Sequence, residues 1–141
     1  MFETILTAVD SSDSTDTVIG VVVGFAEKAG SKVEVVHVHE HESHPARLGM
    51  SVDLETKAEA TQIVDRVVEK LKERGVDAHG WLLEAHVADV AKRIVDAANE
   101  SGADLIVVGR RRLSNLEDTL LGSVSNKVVH LSHVPVLIAA M

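Results

Sequence analysis

Cysteine is absent from this chain of 141 residues, so neither a disulfide framework nor a thiolate metal site is open to it. Tyrosine is absent too, and Phe2, Phe25 and Trp81 are the only aromatic residues. Three scattered rings supply no stacking platform for a nucleic-acid single strand. Positive charge is scarce. Fourteen lysines and arginines face 22 aspartates and glutamates, for a net charge of −8. Nucleic-acid binders show a basic footprint, which is missing here. No apolar run approaches the ~18 residues of a membrane span. Met1-Phe2-Glu3-Thr4 enters a strand pattern directly, unlike a secretory signal. These absences predict a soluble, cytoplasmic protein with no nucleic-acid or membrane partner.

What is present alternates with regularity. The length suits a single domain, 1–141, large enough to bury a core. Phe2 to Val9 reads as an apolar strand closed by Asp10-Ser11-Ser12-Asp13, residues that favour turns and helix caps. A helix is predicted from Ser14 to Ala29, with Gly30 as its stop. Lys32 to Val38 is the second strand, and His39 to Met50 reads as a loop broken by Pro45 and Gly49. Between Val52 and Arg74, Ala60, Ile63, Val64, Val67, Val68 and Leu71 recur at helical spacing. Val76 to Leu83 is the third strand. Val87 to Ala98 carries the next helical pattern, ended by Gly102, and Leu105 to Val108 is a fully apolar fourth strand. A loop from Arg110 to Leu121, a short helix from Ser123 and a last strand over 134–140 complete the chain.

Alternating strands and helices with apolar strands predict an α/β fold, a parallel sheet covered on both faces. Right-handed crossovers then favour a doubly wound five-stranded sheet ordered 3-2-1-4-5. Ligands of such sheets bind beyond the carboxyl ends of the strands where the order reverses, here between strands one and four. Those ends are Asp10 and Gly109. The segment after Gly109 carries Arg110-Arg111-Arg112, and Gly122-Ser123-Val124-Ser125 opens a helix. Amide groups at a helix start, small residues and positive charge suit an anionic phosphate.

The run Ala8-Val9-Asp10-Ser11-Ser12, the pair His37-Val38, the run Ala103 to Gly109, Leu120-Leu121-Gly122-Ser123-Val124-Ser125 and His133-Val134-Pro135-Val136-Leu137-Ile138 resemble, in this order, the universal stress protein domain. The likeness spans nearly the whole chain. It implies an adenine nucleotide alpha hydrolase-like fold, a role in stress response or signalling, and an adenine nucleotide as ligand, ATP foremost, with or without Mg. By this resemblance Asp10, with Ala8 and Val9, and Val38 lie at the adenosine end. Val108 and Gly109, then Gly122, Ser123, Val124 and Ser125, lie at the phosphates, with Arg111 and Arg112 from the basic loop. The nucleotide-binding branch has a second glycine where this chain has Arg112. That arginine either fills the pocket, leaving a dimeric protein that acts through partners, or turns its guanidinium to clamp phosphate.

Simpler readings stand beside these. Asp10 and Ser123 are also ordinary capping residues, and the arginine loop also has Glu117 and Asp118 as partners. His37, His39, His41 and His44 alternate as metal ligands can, but the sequence places no partner opposite them, and no metal is expected. His130 and His133 fall at the end of the last helix, and Trp81 reads as a core or partner-contacting residue. No Ser-His-Asp spacing, Walker lysine or purposeful carboxylate pair marks an enzyme, so the expectation is at most slow ATP hydrolysis or self-phosphorylation at Ser123. The last strand, apolar and uncharged, is expected to sit at a sheet edge and pair with its copy in a homodimer.

Overall fold

The computed structural model describes residues 2–11, 14–41, 55–109 and 123–139. Its sheet is built from β1 (Thr4–Ala8), β2 (Lys32–His41), β3 (Asp77–His86), β4 (Leu105–Gly109) and β5 (Val136–Ala139). The strands are all parallel and ordered β3-β2-β1-β4-β5. The helices α1 (Ser14–Ala29), α2 (Lys57–Glu73), α3 (Val90–Ser101) and α4 (Ser123–Leu131) connect them, with a single 3₁₀ turn, Val87–Asp89, before α3.

Strand alternation divides the core in two. Ile5, Val33, Val35, Ala78, Leu105 and Val107 pack on one face against Val18, Val22, Val64 and Leu71 of α1 and α2. Leu6, Val36, Val38, Ile106 and Val108 pack on the other against Val90, Ile94, Val95 and Val128 of α3 and α4. β4, buried on both faces, has no polar side to show, which is why Leu105 to Val108 reads as an unbroken apolar run.

Local chemistry sets the helix limits. Thr56 caps α2, its hydroxyl accepting from the Glu59 amide at 3.1 Å. The helix therefore starts at Lys57, not at the apolar Val52 where periodicity alone would begin it. At the end of α3, Gly102 turns left-handed with φ of 70°, a conformation that costs glycine least. Gly80 of β3 serves a different need. A Cβ there would come within 2.5 Å of Val64 and 2.9 Å of Val68, so the missing side chain lets α2 lie close on the sheet.

Two strands outrun their expected limits. β2 continues past Val38 to His41 and β3 past Leu83 to His86, so His39, Glu40 and His41 belong to a strand and not to a loop. The reason is mutual pairing. The two strands stay in register from Lys32 opposite Asp77 to His41 opposite His86. A ladder partner outweighs the weak strand preference of these polar residues. The last strand is shorter than expected, beginning at Val136, because the Val134 amide turns to the Ser132 hydroxyl at 3.1 Å. His133 lies beyond the end of α4, which stops at Leu131. Trp81 is not core. Its indole is 58% exposed and donates its N–H to Glu34.

Candidate functional site

The order reversal falls between β1 and β4, which pair from Ile5 opposite Leu105 to Ala8 opposite Val108. Among the described residues, α1 and α2 cover one face and α3 and α4 the other, and none of these helices packs across the carboxyl ends of these two strands. Ala8, Val9 and Asp10 end the first strand, and Val108 and Gly109 end the fourth. The aligned strand ends make a floor at this end of the sheet. β2 forms a wall beside it, because it continues five residues beyond Val36, the partner of Ala8.

Specific bonds hold this floor. The Val9 amide bonds the Val36 carbonyl at 2.9 Å, extending the pairing one residue past the strand. The Val9 carbonyl accepts from Nδ1 of buried His37 at 2.7 Å. The far nitrogen of His37 lies 2.7 Å from the Glu55 carboxylate, which precedes the cap of α2. His37 therefore ties the end of β1 to β2 and to the entry of α2. The Asp10 carbonyl accepts from the Thr15 hydroxyl at 2.8 Å, which positions the first turn of α1 over the strand end.

On the other side, Ser123 begins α4 and Val124 packs into the α3/α4 core. Buried Ser125 donates its hydroxyl to the Gly109 carbonyl at 3.2 Å, tying the start of α4 to the end of β4. The first amides of a helix lack partners within it. The structure thus brings a helix N-terminus to the carboxyl end of β4, beside that of β1. The Ser125 proton is committed to Gly109, so the donor Ser125 keeps for an anion is its backbone amide in the first turn of α4. Val38 lies on the α3-facing side of the β2 wall, buried with Leu83.

Ala8, Val9, Asp10, Val108, Gly109, Ser123, Val124 and Ser125 therefore meet at one end of the sheet. Arg111, Arg112 and Gly122 lie outside the described residues, as does the side chain of Ser123. So do Arg110 and most of the segment from His39 to Ser51. Asp104, by contrast, serves the opposite end of the sheet. Its carboxylate accepts from the amides of Glu3 and Thr4 at 2.9 and 3.1 Å, joining the start of β1 to that of β4.

Sequence reasoning missed Glu55 and Glu84. Glu55 meets His37 across 18 positions through no local pattern. Glu84 stands opposite His39 only because of the β2–β3 register. The carboxylate that the sequence could not place against the alternating histidines is therefore present.

Comparison with known proteins agrees with this architecture. A family model described as the universal stress protein family matches residues 1–140. Universal stress protein YxiE of Bacillus subtilis is 32% identical over 149 aligned positions, spanning 98% of this chain and 99% of the relative. A universal stress protein from Archaeoglobus fulgidus superposes with a TM-score of 0.77 at 26% identity, covering 98% of both chains. The structure of the universal stress protein from Archaeoglobus fulgidus in complex with dAMP superposes with a TM-score of 0.72, also at 26% identity, covering 96% of each chain.

Proposed function

This chain belongs to the universal stress protein family, and on that premise we propose that it binds an adenine nucleotide at the carboxyl ends of β1 and β4. It acts in this reading as a cytoplasmic stress-response module that signals nucleotide occupancy by shape or partner choice. The observation that carries the proposal is the Ser125–Gly109 bond, which sets the N-terminus of α4 at the strand-order reversal. A helix N-terminus there is a ready anion site. The dAMP complex of the Archaeoglobus fulgidus relative supports the ligand class. Within the pocket, Asp10 and the Val38 backbone serve the adenosine. Gly109, Gly122, Ser123, Val124 and Ser125 serve the phosphates, and Arg111 and Arg112 supply positive charge, with ATP and Mg as the fullest occupant.

The test is native mass spectrometry of purified protein, followed by titration with ATP, ADP and AMP. Binding tighter than about 100 µM, which corresponds to roughly 5–6 kcal/mol, is expected. No binding at millimolar nucleotide would overturn the reading and make Arg112 a plug. The proposal includes a homodimer paired through the edge strand over 134–140, with β5 at its centre. Light scattering at tens of micromolar should show the dimer. Ile138→Lys should shift it toward monomer.

A further inference from the structure

We propose that His39, His41 and Glu84 bind a divalent transition metal, Zn²⁺ by preference. The site lies at the carboxyl-terminal corner of β2 and β3, on the sheet face that carries α2. It uses none of the residues assigned above to the nucleotide. Residues two apart on a strand share a face, so His39 and His41 stand together, their ring centroids 4.9 Å apart and their planes at 77°. The register sets Glu84 opposite His39. One Glu84 oxygen lies 4.0 Å from His39 Nδ1 and 3.8 Å from His41 Nε2. One ligand atom from each of the three residues falls within a 4.8 Å span. Ligand atoms on a tetrahedral zinc are about 3.4 Å apart, from bond lengths of about 2.0–2.2 Å. Small rotations of His41 and Glu84, each about half exposed, close the difference.

His39 supplies the independent reason for a cation. Its side chain is only 5% exposed. Its Nε2 sits 3.1 Å from the Glu55 carbonyl, and a carbonyl oxygen can only accept. The neutral ring therefore carries its hydrogen on Nε2 and presents a lone pair at Nδ1. That buried nitrogen has no hydrogen-bond partner among the described residues, and it faces a carboxylate oxygen. A buried lone pair left unpartnered 4.0 Å from a carboxylate oxygen is unfavourable, and a cation held between the two relieves it. The Nε2–H bond to a carbonyl is also the outer contact that metal-binding histidines make, fixing the tautomer and orienting the ring. Two imidazoles and one carboxylate suit Zn²⁺ and its analogues better than Mg²⁺ or Ca²⁺, which prefer oxygen alone. Three protein ligands leave a fourth position for water. The exposed ammonium of Lys57 lies 3.5 Å from the same Glu84 oxygen, where it competes with the metal.

The test is calorimetric titration of chelator-treated full-length protein with Zn²⁺, with Co²⁺ visible absorption as a report on geometry. One Zn²⁺ per chain is expected at micromolar affinity, with Co²⁺ giving the intense bands of a four-coordinate site. His41→Ala and Glu84→Gln should each weaken binding by at least about a hundredfold, since the loss of an outer contact alone costs about tenfold to a hundredfold. Both positions are exposed enough for the variants to fold, which circular dichroism checks. Lys57→Met, which removes the competing charge, should tighten binding. Zn²⁺ binding that is equally tight in His41→Ala and Glu84→Gln would place the metal elsewhere and overturn the proposal. So would the absence of uptake by the unaltered protein at about 100 µM Zn²⁺, a threshold weaker than any specific zinc site of this type.

Discussion

β1 and β4 stop at Ala8 and Gly109, whereas β2 and β3 run on to His41 and His86. The short strands end in backbone groups, a helix start and small residues. The long strands keep their backbones paired and present histidines and a carboxylate from a rigid ladder. In the proposed reading, the first end recognises a ligand mainly through amide groups and the shape of a cleft. The second does so through side chains at fixed spacing. A single substitution should therefore erase the second and only weaken the first.

The largest contrast is a crossed pair of variants. His41→Ala, which removes a direct ligand, should cost Zn²⁺ affinity at least about a hundredfold, the upper end of what losing only an outer contact costs, while leaving ATP affinity within about twofold. Asp10→Ala should lower ATP affinity about tenfold, roughly 1.4 kcal/mol, while leaving Zn²⁺ binding intact. Paired calorimetric titrations of both variants read this directly. Loss of both ligands in either variant would mean the two ends are one site.

Gly80→Ala comes next and sharpens the comparison through stability. Its new methyl group meets valine side chains on a helix, which have little rotamer freedom to yield. The expected cost is about 1–3 kcal/mol, seen as a lower midpoint in urea unfolding. Because α2 is the element displaced, Zn²⁺ binding near its start should weaken before nucleotide binding does. An unchanged midpoint would mean that α2 has slack against the sheet.

The smallest effect is expected at the opposite end of β2. The Lys32 ammonium is held above its ordinary value of 10.5, first by its hydrogen bond to Glu34 and then by the charge of that carboxylate. A raised folded-state value means that the pair's stabilisation is complete below 10.5 and fades as pH rises through the raised value. Lys32→Met should remove this fading, and unfolding curves taken on both sides of the window compare the two. Neither ligand should respond to it.

Much of the fold was legible because strands buried on both faces are mostly apolar and helices show their stripe. Leu105 to Val108 is the plainest case: it is apolar throughout, and both of its faces are covered in the sheet. The point where the strand order reverses followed from chain order, and Asp10 and Gly109 stand at the strand ends there. The strand extension to His41 was not legible, because Glu40 and the histidines on either side of it look like loop until β3 pairs with them. Glu84 and Glu55 were hidden for the same reason: their partners are set by register and helix entry, which no local pattern encodes.

Amide hydrogen exchange with and without saturating ATP decides whether the nucleotide sits at the carboxyl ends of β1 and β4, because it reports on the backbone groups there. Slower exchange is expected in segments containing Val9 and Asp10, Gly109, and Ser123 to Ser125, with no change at the start of β3. Protection confined to other segments, or none at millimolar ATP, would contradict the account.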